Sequence, residues 1–149
     1  MLPTITGEFT VVADPELRFT PSGAAVANIR AVANKKKKNE QTGEWVDDKH
    51  CWVNLTAWNQ MAENVAESIV KGMKVVVTGR LETRDYETSD GQKRISVDVE
   101  IFEIGPSLRF ATAKVSKTER ASTSGGQQQT PASQTDQWST TPASDEPPF

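Results

Sequence analysis

Aromatic rings set among cationic side chains are the most chemically suggestive feature of this sequence. Trp52 and Trp58 lie six residues apart in one predicted strand, so their side chains point to the same side of it. Tyr86 follows Arg84 by two residues and precedes a turn. Flat rings stack on bases, and cations bind phosphates with release of counterions. Together these residue types predict a binding surface for single-stranded nucleic acid.

The candidate binding residues are the aromatic side chains of predicted strands and the cations near them in the sequence. Each type has an ordinary alternative, because a strand tryptophan can belong to the core and a lysine run is often only a solvated loop. Around the two tryptophans the pattern favours exposure, since their face also carries Asn54 and Thr56 while the opposite face is apolar. The candidates are Trp52, Trp58, Tyr86, Arg30, Lys35, Lys36, Lys37, Lys38, Arg80, Arg84, Lys93 and Arg94.

These side chains require a scaffold, and the apolar pattern predicts mostly strands. Within residues 93–101, apolar and polar residues alternate from Ile95 to Ile101, and Ser-Asp-Gly at residues 89–91 predicts a hairpin turn before them. One helix is predicted from Asn59, as its N-cap, to Gly72, because apolar residues recur there at helical spacing. The predicted strands are residues 4–12, 24–33, 50–58, 73–81, 83–88, 93–101 and 107–115, with a polar loop at residues 34–48.

The order of these elements predicts an all-β fold. We expect a five-stranded OB-fold barrel with one α-helix between strands 3 and 4, an extra C-terminal strand at residues 107–115 and a disordered C-terminal tail. Barrels of this kind commonly bind oligonucleotides across their surface and loops. SH3-like and other small barrels share part of the pattern, so the order alone leaves them open.

Composition divides the chain of 149 residues at about residue 120. Residues 1–120 hold all 17 Lys and Arg and 17 of the 20 Asp and Glu, so their formal net charge is zero and the tail carries the whole −3. Residues 121–149 contain only two large apolar side chains, too few to offset the entropy of folding. We therefore predict a binding and oligomerisation domain at residues 1–120 and a disordered polar linker at residues 121–144.

The last five residues differ chemically from the linker that precedes them. An acidic pair, a stiff Pro-Pro step and a terminal aromatic residue are suited to capture by another protein rather than to packing in a core. The predicted partner-binding residues are Asp145, Glu146, Pro147, Pro148 and Phe149.

Several function classes are disfavoured by residues that are scarce or scattered. A single cysteine, Cys51, excludes a disulfide framework and a cysteine-based metal site, and we expect it to be an inert buried thiol. A single histidine leaves no histidine-paired nucleophile, and Asp85, Asp90 and Asp98 show no convergent cluster. No signal peptide begins the sequence, and no apolar run approaches 18 residues. We expect a cytoplasmic protein that is not an enzyme, needs no cofactor or metal and contacts no membrane.

Several long motifs in this order resemble those of the bacterial single-stranded DNA-binding protein family. The similarity covers about residues 4–117 and the acidic tip, and Glu-Ile-Gly-Pro-Ser-Leu-Arg-Phe from residue 103 resembles the actinobacterial branch in particular. The other motifs are Ala-Asp-Pro-Glu-Leu-Arg-Phe-Thr-Pro-Ser-Gly-Ala-Ala-Val-Ala-Asn at residues 13–28, Ala-Glu-Asn-Val-Ala-Glu at residues 62–67 and Gly-Arg-Leu at residues 79–81.

The resemblance implies a homotetramer that wraps single-stranded DNA without sequence preference. It implies that Trp52, Trp58 and Tyr86 are base-stacking residues, that the strand at residues 107–115 clamps subunits together, and that the tip binds DNA replication, recombination and repair proteins. Where the family usually carries another stacking aromatic, this sequence has the lysines of residues 35–38. We therefore expect a steeper salt dependence of DNA binding than in relatives with that aromatic residue.

Two other classes of function remain open on the residues alone. An OB-fold RNA-binding protein or RNA chaperone would use the same stacking and phosphate contacts. A nuclease would need carboxylates to converge on a metal ion, which their scattered positions in the sequence disfavour.

Overall fold

A computed structural model describes residues 1–119, which form six strands and one helix. The linker predicted at residues 121–144 and the tip predicted at residues 145–149 lie outside the described residues, as does the last residue of the predicted domain. The elements are β1 (Thr4–Val11), β2 (Glu16–Phe19), β3 (Ala25–Lys38), β4 (Trp45–Trp58), α1 (Asn59–Ser68), β5 (Lys74–Glu87) and β6 (Lys93–Pro106).

Five of the strands close into a ring in the order β1–β5–β6–β4–β3, and β3 pairs again with β1. The neighbours in this ring are antiparallel except β4 and β6, which run parallel where Asn54, Leu55 and Thr56 pair with Asp98, Val99 and Glu100. The short β2 adds to β3 outside the ring. The predicted five-stranded barrel, with its helix between the third and fourth barrel strands, is confirmed.

The barrel interior is filled by the apolar face of each strand. On β4 the odd-numbered residues Val53, Leu55 and Ala57 are buried, while Trp52 and Trp58 on the even face remain exposed. Burial of the odd face removes apolar area from water, worth roughly 25 cal/mol per Å². This burial determines which way β4 faces, and it directs the two tryptophans to solvent as the sequence predicted.

A bulge near Gly79 lets β5 and β6 curve around the core. The register shifts there, so that Thr78 pairs with Glu103 and Gly79 pairs with Ile101. A Cβ atom on Gly79 would overlap the carbonyl oxygen of Glu100. Only glycine permits this close approach of the two backbones, which bends the strand pair.

Helix α1 is shorter than predicted and begins differently. It ends at Ser68 rather than near Gly72, and Trp58 occupies the N-cap position without a side-chain hydrogen bond. Asn59 is not the N-cap but the first helical residue, with a positive φ of 56°. Asparagine tolerates this left-handed conformation better than most residues, which allows the chain to turn sharply from β4 into the helix.

The polar loop predicted at residues 34–48 is wrong, because most of it is strand. β3 continues through Lys38 and β4 begins at Trp45, so the two strands extend past the barrel as a paired ribbon. Gly43, with φ 71°, lies in the short turn between them. Both faces of this ribbon are exposed, so its sequence lacks the apolar alternation that marks a half-buried strand. Cys51 lies on β4 and is exposed, whereas the sequence predicted a buried thiol.

The β5–β6 hairpin also extends beyond the barrel, with its turn where the sequence predicted one. The N–H of Thr88 donates to the carbonyl of Gln92, and Gly91 adopts a positive φ of 78°.

The C-terminal strand predicted at residues 107–115 is not formed. β6 continues through Pro106 instead, and residues 108–115 are exposed without a strand partner among residues 1–119. Of the described helices, none is long and apolar enough to span a membrane.

Candidate nucleic-acid interface

A concave groove of about 790 Å³ crosses one side of the barrel. Strands β3, β4, β5 and β6 all contribute side chains to it, together with residues from the β1–β2 connection and β2. We call this surface the aromatic groove. Its lining residues are Ala13, Asp14, Glu16, Asn28, Ile29, Arg30, Trp52, Val53, Asn54, Thr56, Arg84, Tyr86, Ile95, Ser96, Val97 and Asp98.

Trp52 presents an open ring to this groove. Its side chain is 48% exposed, although it belongs to a strand whose alternate residues form the core. The guanidinium carbon of Arg30 lies 5.5 Å from the ring centroid, and His50 meets the ring edge-on at 6.1 Å between centroids. These contacts restrain the indole while leaving ring surface available to a planar ligand.

Tyr86 supplies the second exposed ring, from the extended part of the β5–β6 hairpin. It is 45% exposed, pairs with Arg94 and lies next to the Asp85–Ile95 pair. Ile95 is 67% exposed and lines the groove as well, which adds an apolar surface beside the ring. The groove therefore holds two exposed aromatic rings, contributed by strands that are distant in the sequence.

A hydrogen-bonded cluster lies among the groove residues. Arg84 Nη2 donates to Asp98 Oδ2 at 3.0 Å, and Asn54 Nδ2 donates to Asp98 Oδ1 at 3.0 Å. Ser96 Oγ also donates to Asp98 Oδ1 at 3.0 Å and accepts from Asn54 Nδ2 at 2.9 Å. The cluster ties together β4, β5 and β6, and it places one guanidinium at a defined position on the surface.

The four lysines lie on the β3–β4 ribbon rather than in the groove lining. They are exposed, and they pair in the strand register with Lys49, Asp47, Val46 and Trp45. We call residues 35–49 the lysine arm. Its cations lie beyond the barrel, although Asp47 stands directly opposite Lys36 and offsets part of their charge.

The remaining candidates lie outside the groove lining. Trp58 is 42% exposed at the end of β4, beside the helix start. Arg80 Nη1 lies 3.2 Å from Glu100 Oε2, and its guanidinium carbon lies 5.3 Å from the centroid of the Phe102 ring. Lys93 and Arg94 lie on the β5–β6 hairpin near Tyr86. The groove lining thus contains four of the predicted residues, namely Arg30, Trp52, Arg84 and Tyr86.

Sequence reasoning missed several polar residues of the groove. Asn28 lies opposite Thr56, which donates to its side chain at 3.3 Å, and Asn54 belongs to the cluster around Asp98. The available signal was alternation, because Asn54 and Thr56 share the even face of β4 with the tryptophans. Alternation also places Asp98 on the polar face of the last barrel strand, but a carboxylate is unexpected on a surface for an anionic ligand. Within residues 1–119, no group of three or more His, Cys, Asp or Glu side chains is arranged to hold a metal ion.

Comparison with protein families gives a match over most of the described chain. The model of the Single-strand binding protein family matches residues 4–106. The single-stranded DNA-binding protein of Mycobacterium tuberculosis strain H37Rv is 48% identical over 159 residues, covering 98% of this chain and 96% of that protein. The protein of the same name from Corynebacterium glutamicum is 54% identical over 121 residues, covering 81% of this chain and 53% of that protein.

A solved structure shares the barrel. The crystal structure of a small single-stranded DNA-binding protein from Streptomyces coelicolor matches with a TM-score of 0.65 and 27% identity, covering 72% of this chain and 95% of that one. This similarity, with the closed ring of five strands, confirms the predicted OB fold. The sources of these relatives also agree with the actinobacterial resemblance of the motif that begins at residue 103.

Proposed function

Because this chain belongs to the single-strand binding protein family, we propose that it binds single-stranded DNA without sequence specificity across the aromatic groove. The observation that carries the proposal is the exposure of Trp52 and Tyr86 on one concave surface that Arg30 and Arg84 also line. Rings and cations on one surface provide both contacts that an unpaired strand offers, its base faces and its phosphates.

The contacts of the groove account for binding that does not depend on sequence. Every base has a flat face, and stacking on an aromatic ring is worth about 1–3 kcal/mol for each base. Arginine and lysine bind phosphates, which carry no sequence information. Lysines on the arm would contact the phosphates of the DNA strand where it leaves the groove. Trp58 would stack on a base outside the groove. Lys93, Arg94 and Arg80 would add further phosphate contacts.

Quenching of tryptophan fluorescence by oligo(dT) tests this proposal directly. Titration should quench the signal of the full chain and saturate, and a rise in salt should weaken binding because counterions are released. Competition between poly(dT) and poly(U) separates DNA binding from the RNA-binding alternative, since preferential displacement by poly(U) would favour RNA. Stable, full-length oligo(dT) after incubation with Mg²⁺ is expected, whereas cleavage products would favour a nuclease.

We propose that the protein acts as a homotetramer. A single small barrel covers only a few nucleotides, and symmetric copies on one strand gain avidity without new contacts. Exposed apolar side chains on β5, β6 and the segment that follows support contacts between copies. They are Val76, Phe102, Leu108 and Phe110. Analytical ultracentrifugation should give four times the mass of the chain, and a stable monomer at micromolar concentration would contradict the proposal.

We propose that the five-residue tip recruits DNA replication, recombination and repair proteins in the cytoplasm. The support is chemical, since two acidic residues, two prolines and an aromatic side chain offer a compact charged and apolar ligand. Deletion of residues 145–149 should abolish capture of partner proteins and leave affinity for single-stranded DNA equal or higher at low salt. A large loss of DNA affinity would contradict this role.

A further inference from the structure

A carboxylate lies inside the aromatic groove, where a nucleic acid would bring its own negative charge. The side chain of Asp98 is only 13% exposed, and both of its oxygens accept hydrogen bonds. By simple charge repulsion this group should weaken the binding of an anionic strand. Its contacts indicate a different effect.

The contacts of Asp98 restrain the cation that points into the groove. The Arg84 side chain is 76% exposed, and its Nη2 atom lies 3.0 Å from Asp98 Oδ2. A guanidinium has five N–H donors, so this contact leaves others free for a phosphate. An exposed arginine otherwise samples many rotamers, and ordering it on binding has an entropic cost.

Asp98 is itself held in place from two directions. Asn54 pairs with it in the parallel β4–β6 register and donates to Oδ1, and Ser96 donates to the same oxygen from two residues earlier on β6. The carboxylate therefore has a defined orientation before any ligand arrives. It transmits that orientation to Arg84, on the neighbouring strand.

We propose that Asp98 is a positioning residue of the DNA-binding site, which strengthens binding by holding Arg84 ready for a phosphate. This inference rests on the proposed binding of single-stranded DNA. It assigns to a negative charge a favourable effect on the affinity for a negatively charged ligand. The sign of that effect distinguishes positioning from repulsion.

The test compares two neutralised carboxylates on the same surface. Glu82 lies directly opposite Asp98 in the β5–β6 register but outside the groove lining, so Glu82→Gln is the matched control. Affinity of the full chain for fluorescein-labelled oligo(dT) is measured by anisotropy at fixed salt. Asp98→Asn should weaken binding by about twofold to tenfold, the effect of ordering one long side chain. Glu82→Gln should leave the affinity equal or higher.

A second comparison shows whether Asp98 acts through Arg84. In the Arg84→Met background, Asp98→Asn should no longer weaken binding and should strengthen it, because only repulsion remains. Tighter binding by Asp98→Asn alone, or an equal loss in both backgrounds, would overturn the proposal. Absence of oligo(dT) binding by the unaltered chain would instead refute the proposed function.

Folding of the variants is checked by thermal unfolding. If Asp98→Asn does not fold, Ser96→Ala keeps every charge and removes one hydrogen bond that orients the carboxylate. Ser96→Ala should then weaken DNA binding when Arg84 is present. It should not weaken DNA binding when it is combined with Arg84→Met. An unchanged affinity of a folded Ser96→Ala variant would contradict the positioning role.

Discussion

The aromatic groove and the lysine arm carry similar side chains but hold them in different ways. In the groove, Trp52 packs against Arg30, and Arg84 is bound by a largely buried carboxylate. On the arm, the lysines are exposed on a two-stranded ribbon. A ring or cation held by neighbouring groups gives a contact of defined geometry. A mobile surface charge gives attraction that salt screens.

Local charge sharpens this contrast. The lysine arm, residues 35–49, contains five lysines and four acidic residues, so its net charge is only +1. The arm therefore produces little long-range field and acts mainly where a phosphate meets a lysine directly. We expect the groove to supply most of the affinity and the arm to supply much of its salt dependence.

Removal of both groove rings should have the largest effect. The double variant Trp52→Ala with Tyr86→Ala should lose about 2–6 kcal/mol of binding free energy, the sum of two stacking contacts. Isothermal titration with oligo(dT) measures the loss. Trp45→Ala is the control, because Trp45 is 66% exposed on the arm and does not line the groove. An equal loss in the control would mean that stacking is not concentrated in the groove.

Replacement of the four lysines by alanine should change the salt dependence more than the affinity at high salt. Each phosphate contact contributes about 0.7 to the slope of log affinity against log salt, so the slope should fall by up to about 2.8. Titrations from low to high NaCl give the slope. The double variant Lys71→Ala with Lys74→Ala removes charges outside both the groove and the arm. It should leave the slope of log affinity against log salt unchanged. An unaltered slope in the fourfold variant would exclude phosphate contacts by the arm.

Arg30→Met should have a smaller effect, because it removes one cation and its contact with Trp52. We expect a loss of about 0.5–1 kcal/mol of binding free energy, typical of an exposed cation–π contact. Arg109→Met is the matched control, since Arg109 covers the Phe110 ring at 5.3 Å outside the groove. Fluorescence titration of both variants makes the comparison, and equal losses would show that the position of Arg30 has no special role.

Neutralisation of an acidic residue on the arm should have the smallest effect and the opposite sign. Asp47→Asn removes the carboxylate opposite Lys36, so binding at low salt should strengthen by about 0.2–1 kcal/mol, the range of an exposed ion pair. Glu63→Gln on helix α1 is the control. Weaker binding by Asp47→Asn would mean that this carboxylate, like Asp98, positions its cation.

The contrast also explains which parts of the site could be predicted. The core-facing residues of β4 alternate with polar ones, so the exposure of Trp52 followed from a pattern of period two. The arm has no buried face, and its polar sequence therefore resembles a loop although its backbone forms a ladder. Pairing between Lys36 and Asp47 is a property of register, which a sequence without apolar alternation specifies weakly.

The prediction of a C-terminal strand at residues 107–115 was wrong for a related reason. These residues have apolar side chains at strand-like spacing, but a strand forms only where a partner satisfies its backbone groups. Within residues 1–119, the N–H of Ser107 still donates to the carbonyl of Lys74 on β5, but no strand edge pairs with residues 108–115.

The sequence by itself determined the all-β barrel, the position of its helix, the outward face of β4 and the chemical types of the binding side chains. The barrel, the helix and the face of β4 depend on the local periodicity of apolar residues, and the side-chain types are given by the residues themselves. Only the tertiary structure decided that Trp52 and Tyr86 share one groove and that Asp98 holds Arg84. The first arrangement depends on the parallel closure of β4 against β6, which joins residues as far apart as Asn54 and Asp98, 44 positions away, and no local pattern encodes a contact over that distance. The second depends on the register of the β5–β6 hairpin, which sets Arg84 diagonally across from Asp98.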